Sequence, residues 1–233
     1  MTGKLYGVGL GPGDPELVTL KAHRLISGAR VIAYPSLAGG DSFARSIVAD
    51  FIPETCAEVA ISIPMSVARK PAQDAYDTGA ADIAAHLDAG RDVVVLCEGD
   101  PFFYGSFMYL FSRLADRYPT EVVPGVTSVT ACAAALGRPL AARNEVLTII
   151  PGPMPEEEMR DRIGAAEAVA IIKVGRHLPK IRRVLQALGH EADAGYVERA
   201  SLPAQKVSPL AEAPEDAPYF SMILMMKGQD PWL

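Results

Sequence analysis

The sequence predicts an α/β protein, and three observations predict it. Short runs rich in β-branched residues alternate with segments of helical period along the chain, the pattern of βα units stacked on a mostly parallel sheet. The run Val93–Cys97 is apolar at every position, as a strand covered on both faces must be. A length of 233 residues, 49% hydrophobic and 21% charged, is enough to bury a real core in one large domain or two small ones.

In chain order, Leu5–Leu10, Val31–Tyr34, Val93–Cys97 and Glu121–Val123 read as strands of the first half, and Val146–Ile150, Ala168–Val174, Ala194–Val197 and Phe220–Met226 as strands of the second. Asp14 suits an N-cap and Pro15 the first position of a helix running to about Arg24. Phe43, Ile47 and Phe51 recur every four residues, and Phe107, Leu110, Phe111 and Leu114 follow the spacing of one buried helical face. Both aromatic stripes are read as core. Arg69–Lys70 is expected in a proline-bounded loop. An Ala-rich helix, Val129–Leu136, begins after a cap at Thr127 or Ser128 and stops at Gly137. Leu178, Ile181, Leu185 and Leu188 form a further stripe that ends before Gly189, a residue suited to the left-handed position after a helix. From Ser201 to Pro218 the chain carries Pro203, Pro209, Pro214 and Pro218, which predicts irregular or edge structure. A domain boundary is placed near Val122–Thr127, where a strand runs into Pro124–Gly125, dividing residues 1–121 from 122–233.

Several classes of function are excluded. The net charge of −6 and the lack of a Lys/Arg run argue against nucleic acid as a partner, because neutralising phosphates needs clustered cations. Apolar runs as short as Val93–Cys97 and Met222–Met226 cannot cross a bilayer, so no membrane partner is expected. Met1–Leu10 is interrupted by Gly3, Gly7 and Gly9 and lacks the apolar core of a secretory signal; the expected compartment is the cytoplasm. Cys56, Cys97 and Cys132 are an odd number at wide spacing, without a CxxC pair, and read as reduced thiols. The four histidines show no metal-ligand spacing, and no metal is expected.

Three loops share one design, a strand running into Gly and Pro and then into a helix. They are Gly7–Glu16 (GVGLGPGDPE), Cys97–Ser106 (CEGDPFFYGS) and Val123–Ser128 (VPGVTS). Ligands of open α/β sheets settle beyond the carboxyl ends of the strands, where all three would lie. The first loop fails the dinucleotide pattern G-x-G-x-x-G: counted from Gly7 the last glycine is Pro12, and counted from Gly9 it is Asp14, whose carboxylate would repel a pyrophosphate. No Gly-Lys-Ser/Thr follows, so a P-loop fails as well. What remains is a backbone-lined pocket with Asp14, Glu98 and Asp100 nearby, matched to a neutral or cationic ligand.

These residues resemble the tetrapyrrole (corrin/porphyrin) methyltransferase family. Val8–Ala22 (VGLGPGDPELVTLKA) is similar to the family's N-terminal signature, Glu98–Gly105 and Val123–Leu140 to its second and third, and Lys173–Arg176 (KVGR) extends the likeness into the second half. Within the family, Tyr6–Ala22, Val31–Pro35, Glu98–Phe111 and Tyr196–Ser201 resemble the branch acting on C20 of precorrin-2. Another ring carbon, the cobalt-loaded ring, and a non-catalytic cofactor-binding protein are the alternatives. The resemblance implies two α/β domains with a cleft between them, S-adenosylmethionine as cofactor, a tetrapyrrole substrate and a homodimer. It also implies cofactor contacts from Pro12, Glu98, Gly99, Asp100, Phe103, Thr127 and Ser128, with Val174 standing beside the adenine where many relatives carry methionine. A polycarboxylate substrate calls for local cations, for which Arg45, Arg138 and Arg143 are the candidates, with Tyr104 near the ring. No general base is assigned.

Overall fold

The computed structural model describes residues 1–37, 40–64 and 69–227. They form two compact units, Met1–Thr127 and Ser128–Leu233, each built on a five-stranded sheet.

The first unit contains β1 (Leu5–Gly9), α1 (Leu20–Ser27), β2 (Val31–Leu37), α2 (Phe43–Ile47), β3 (Ala57–Ile63), α3 (Arg69–Asp88), β4 (Val93–Cys97), α4 (Phe107–Leu114) and β5 (Thr120–Val123). Its strands lie in the order β3-β2-β4-β1-β5 and all pair in parallel. Successive β4 residues face opposite sides and all are buried, because helices cover both faces. One face packs Val8, Ile32 and Leu96 under Ala22 and Ile26 of α1 and Ala44 of α2. The other packs Leu5, Val93 and Val95 under Ile83 and Leu87 of α3 and Phe107, Leu110 and Leu114 of α4. The neighbours β1 and β4 are therefore followed by helices on opposite faces. Such strands part the chain at their carboxyl ends and open a crevice.

Three local readings are corrected. Asp14 does cap a helical turn, its Oδ1 accepting from Glu16 N at 2.8 Å, but that turn is a 3-10 segment ending at Leu17. Val18 is extended, and a second cap, Thr19 Oγ1 accepting from Ala22 N at 3.1 Å, starts α1. The break lets Ala22 and Ile26 face the core. The Phe43–Phe51 stripe is likewise divided: α2 ends at Ile47, Val48 leaves helical geometry, and a 3-10 turn covers Ala49–Phe51. Ile52, which precedes Pro53, is extended as a pre-proline residue must be. Arg69–Lys70 opens the 20-residue α3 rather than lying in a loop; Pro71 sits in the first turn, where its missing N–H costs nothing.

The second unit contains α5 (Ser128–Leu136), β6 (Leu147–Pro151), α6 (Glu156–Ala165), β7 (Ala168–Ile172), α7 (Leu178–Ala187), β8 (Ala194–Glu198), β9 (Lys206–Pro209) and β10 (Ser221–Met226). The order is β6-β7-β10-β8-β9. Only β6 and β7 pair in parallel; the other three pairings are antiparallel, which corrects the expectation of a mostly parallel sheet. The cause is the connections. Parallel neighbours need a crossover, usually helical, and beyond β8 no α-helix intervenes among the described residues. The α7 stripe is as expected: Leu178, Ile181 and Leu185 are buried, and Gly189 follows at φ +75°. The proline-rich tail supplies the edge strand β9.

Candidate functional site

The order β4-β1-β5 puts the carboxyl ends of three neighbouring strands, and so the three Gly-Pro loops, side by side on one edge of the first sheet. Backbone contacts join them. Gly99 N donates to Gly11 O at 2.8 Å and Gly11 N to Gly99 O at 3.2 Å, a short antiparallel bridge between the first and second loops. Asp100 ties the second loop to the third: its Oδ2 accepts from Gly125 N at 3.0 Å and its Oδ1 from Phe102 N at 2.9 Å. The approach is so close that a Cβ on Gly125 would stand 2.1 Å from Gly99 O, a distance no side chain tolerates. Gly99 has φ +64°, which glycine adopts without strain.

Electrostatics set the second loop apart. Glu98 is half-buried, and burial pushes its carboxyl above the usual range, opposed by backbone N–H groups of Ala44 and of Glu98 itself. Among the described residues no cation contributes to that balance. Behind it, burial pushes the Cys97 thiol up to about 11 and the Tyr76 phenol up to about 12. Tyr104 holds φ +55°, a conformation that a tyrosine pays for in strain and that concentrates at ligand sites. Its ring meets Phe103 edge-on at 5.2 Å.

Of the residues singled out from sequence, Pro12, Glu98, Gly99, Asp100, Phe103, Tyr104 and Thr127 all belong to these three loops of the first unit. Ser128 is exposed and opens α5 in the second unit. Val174 is fully buried among Ile150, Ile171, Leu178 and Ile223, so its side chain is a core residue and offers no wall to a ligand. Arg45 does not extend into free space. Its Nε and Nη2 donate to the two oxygens of Glu58 on β3 at 2.6 and 2.8 Å, and the Tyr34 hydroxyl donates to the same carboxylate at 2.6 Å. Arg45 holds Glu58 down to about 2. Arg138 is exposed and its Nη1 donates to Asp193 O at 3.2 Å; Arg143 is exposed with φ +47°.

Two features escaped the sequence reading. Tyr76 reaches the second loop from α3, and the spacing Tyr76, Ala80, Ile83, Leu87 is the helical signal that would have found it. In the second unit, β6, β7 and β8 run in one direction, so their carboxyl ends share an edge. There Lys173, Arg199 and Ser201 hold φ of +57°, +50° and +66°. Glu198, 2% exposed, accepts from Tyr196 Oη at 2.9 Å and Arg199 Nη1 at 3.0 Å, with Lys206 Nζ at 3.1 Å. Burial alone would raise its carboxyl, but Tyr196, Lys206 and Arg199 together hold it below the usual range. Among the described residues no group of three His, Cys, Asp or Glu side chains could hold a metal ion, and no helix is long and apolar enough to cross a membrane.

Comparison with known proteins agrees over the whole chain. A precorrin-2 C(20)-methyltransferase from a Sinorhizobium species is 43% identical over 237 residues, covering 98% of this chain and 97% of that one. A cobalt-precorrin-2 C(20)-methyltransferase from Salmonella typhimurium is 32% identical, covering 97% and 98%. Among solved structures, a uroporphyrin-III C-methyltransferase from Thermus thermophilus, complexed with S-adenosylhomocysteine, superposes with a TM-score of 0.70 at 28% identity, covering 96% of this chain and 97% of that one. The model of the Tetrapyrrole (Corrin/Porphyrin) Methylases matches residues 4–214. With its paired α/β units and three conjoined Gly-Pro loops, the chain belongs to the tetrapyrrole (corrin/porphyrin) methylases.

Proposed function

We propose that this chain is an S-adenosylmethionine-dependent C-methyltransferase that methylates C20 of precorrin-2, giving precorrin-3A in cobalamin biosynthesis. The observation that carries the reading is the full-length likeness to enzymes named for that ring carbon, at 43% and 32% identity. The second of them acts on the cobalt-loaded ring, which makes that ring the alternative substrate.

The residues of the first unit fit the donor. The loops offer the carboxyls of Glu98 and Asp100, while the second loop carries no lysine or arginine. That donor set suits a ligand with a sulfonium and an ammonium and repels a phosphate. When bound, S-adenosylmethionine supplies an activated methyl group and a neutral sulfide leaving group. Positioning is then the protein's main task. Asp100 fixes the relation of the second loop to the third through its two backbone hydrogen bonds. Pro12, Gly99, Phe103 and Thr127 line the donor's seat, and Ser128 adds a polar contact. Arg138 and Arg143, both exposed, are the cations for the ring's carboxylates; Arg45 would first have to leave Glu58. The working form is a cytoplasmic homodimer.

The reading is tested by incubating the protein with precorrin-2 and methyl-labelled S-adenosylmethionine and locating the label on the ring by NMR. Label at C20 is expected. Label at another carbon overturns the position and leaves the family untouched, and a parallel incubation with the cobalt-loaded ring decides between the two substrates.

A further inference from the structure

We propose that the first unit carries a second ligand site, at the amino ends of its strands, for a small oxyanion of at least two negative charges, a phosphate ester or a polycarboxylate. A cavity of about 290 Å³ opens there. Tyr6 and Val94, paired in register on β1 and β4, line it from the sheet, and Arg24, Arg30 and Arg91 line it from three separate segments. The first and second Gly-Pro loops leave the same two strands at their other ends, after Gly9 and Cys97, so the cavity shares no residue with the seat assigned to the methyl donor. Its volume is that of the smallest ligand sites, which admits a compact anion and excludes a macrocycle.

The three arginines meet because two helices end at one place. Arg24 lies in the last turn of α1, which stops at Gly28, and Arg30 follows just before β2. Gly90, at φ +73°, ends α3 and turns the chain so that Arg91 stands just ahead of β4. Cations at a helix carboxyl end can answer its unpaired carbonyls, but here backbone N–H groups already do so. Gly28 N donates to Arg24 O at 3.2 Å and Ala29 N to Ile26 O at 3.0 Å, while Gly90 N donates to Leu87 O and Arg91 N to His86 O, both at 3.0 Å.

Positive charge is left over. Lys21, one turn before Arg24, pairs with Glu121, as does Lys4. Among the described residues the guanidiniums of Arg24 and Arg30 make no hydrogen bond or ion pair. Arg91 Nε donates to His86 Nδ1 at 3.0 Å. Asp92 is the one acid among the described lining residues, and its Oδ1 accepts from Lys4 N at 2.7 Å. Three positive charges against one negative, in a chain of net charge −6, make a local excess that a doubly charged anion cancels. The planar fork of arginine matches the paired oxygens of phosphate and carboxylate alike. Arginine does not release its proton, so the cavity holds its ligand without transforming it.

The test titrates the full chain by calorimetry with inorganic pyrophosphate and, separately, with citrate, at constant ionic strength. We expect at least one of them to bind one to one with a Kd below about 1 mM. Arg24→Gln and Arg30→Gln, changes at exposed positions that leave the core alone, should each weaken that binding about tenfold. Arg162→Gln, on α6 of the second unit and paired with Glu158, should leave it as in wild type. S-adenosylhomocysteine affinity should stay within about twofold in all three variants. Pyrophosphate alone assigns the site to phosphate esters, citrate alone to polycarboxylates, and both to the chemistry they share. The proposal is overturned if neither anion binds below about 1 mM, if Arg24→Gln and Arg30→Gln bind as wild type does, if Arg162→Gln weakens binding as much as they do, or if S-adenosylhomocysteine affinity falls along with anion affinity. None of these outcomes bears on the ring carbon that is methylated, which the labelling experiment decides by itself.

Discussion

A carboxyl group that burial makes reluctant to ionise lowers the stability of the protein that holds it, and Glu98 is such a group. Its proton affinity is higher folded than unfolded, so its contribution to stability is full below the ordinary carboxyl range and is lost as pH rises through the raised folded value. Glu98→Gln is therefore expected to melt at a higher temperature than wild type at pH 7 to 8, with the difference closing below about pH 4; scanning calorimetry across that range checks it, and coincident melting at neutral pH contradicts it. The residues of the three loops were legible because Gly, Pro and Asp announce turns by their own backbone chemistry. Val174 and Arg45 were not, because the direction of a side chain depends on what packs beside it. Val174 turns into a core, and Arg45 finds Glu58 on a strand 13 residues further on.

Among the elements, the loop junction is the most sensitive to a single added methyl group. Gly125→Ala would press a Cβ to 2.1 Å from Gly99 O, and since that oxygen is backbone and a Cβ has no rotamer by which to move away, the loops must separate. We expect a loss of about 1–3 kcal/mol by denaturant titration, together with weakened donor binding. Gly164→Ala, on α6 with nothing within 4 Å of the new methyl, should instead stabilise by about 0.5–1 kcal/mol; equal effects at the two sites would show that crowding at the junction is not the cause. Strand β4 was readable from five apolar residues, all buried. Strand β3 lay hidden because it is an edge, with most of its residues at least partly exposed, and α3 because prolines and polar residues near its start read as loop. The helix foreseen after Asp14 was divided by a competing cap at Thr19, a contest that spacing alone does not decide.

For the whole molecule, the α/β class follows from alternation along the chain and the two-part construction from the Pro124–Gly125 break together with the family resemblance, but the pairing directions of the second sheet do not, since they depend on connections that lack helices. The first unit leaves Phe102, Tyr104 and Tyr109 exposed, apolar area that a second copy could cover, and light scattering on the purified protein is expected to give twice the mass of the 233-residue chain; a monomer at micromolar concentration would exclude the homodimer. Strand order also dictates a timetable for synthesis. As the chain leaves the ribosome, all five strands of the first sheet can pair once Val123 has emerged. The second sheet is interrupted at its centre, with β6–β7 and β8–β9 as separate pieces, until Ser221–Met226 arrives to fill the slot between them. A nascent chain stalled before that strand would carry a finished first layer and two open, apolar strand edges, which is the stretch of translation in which a chaperone has most to shield.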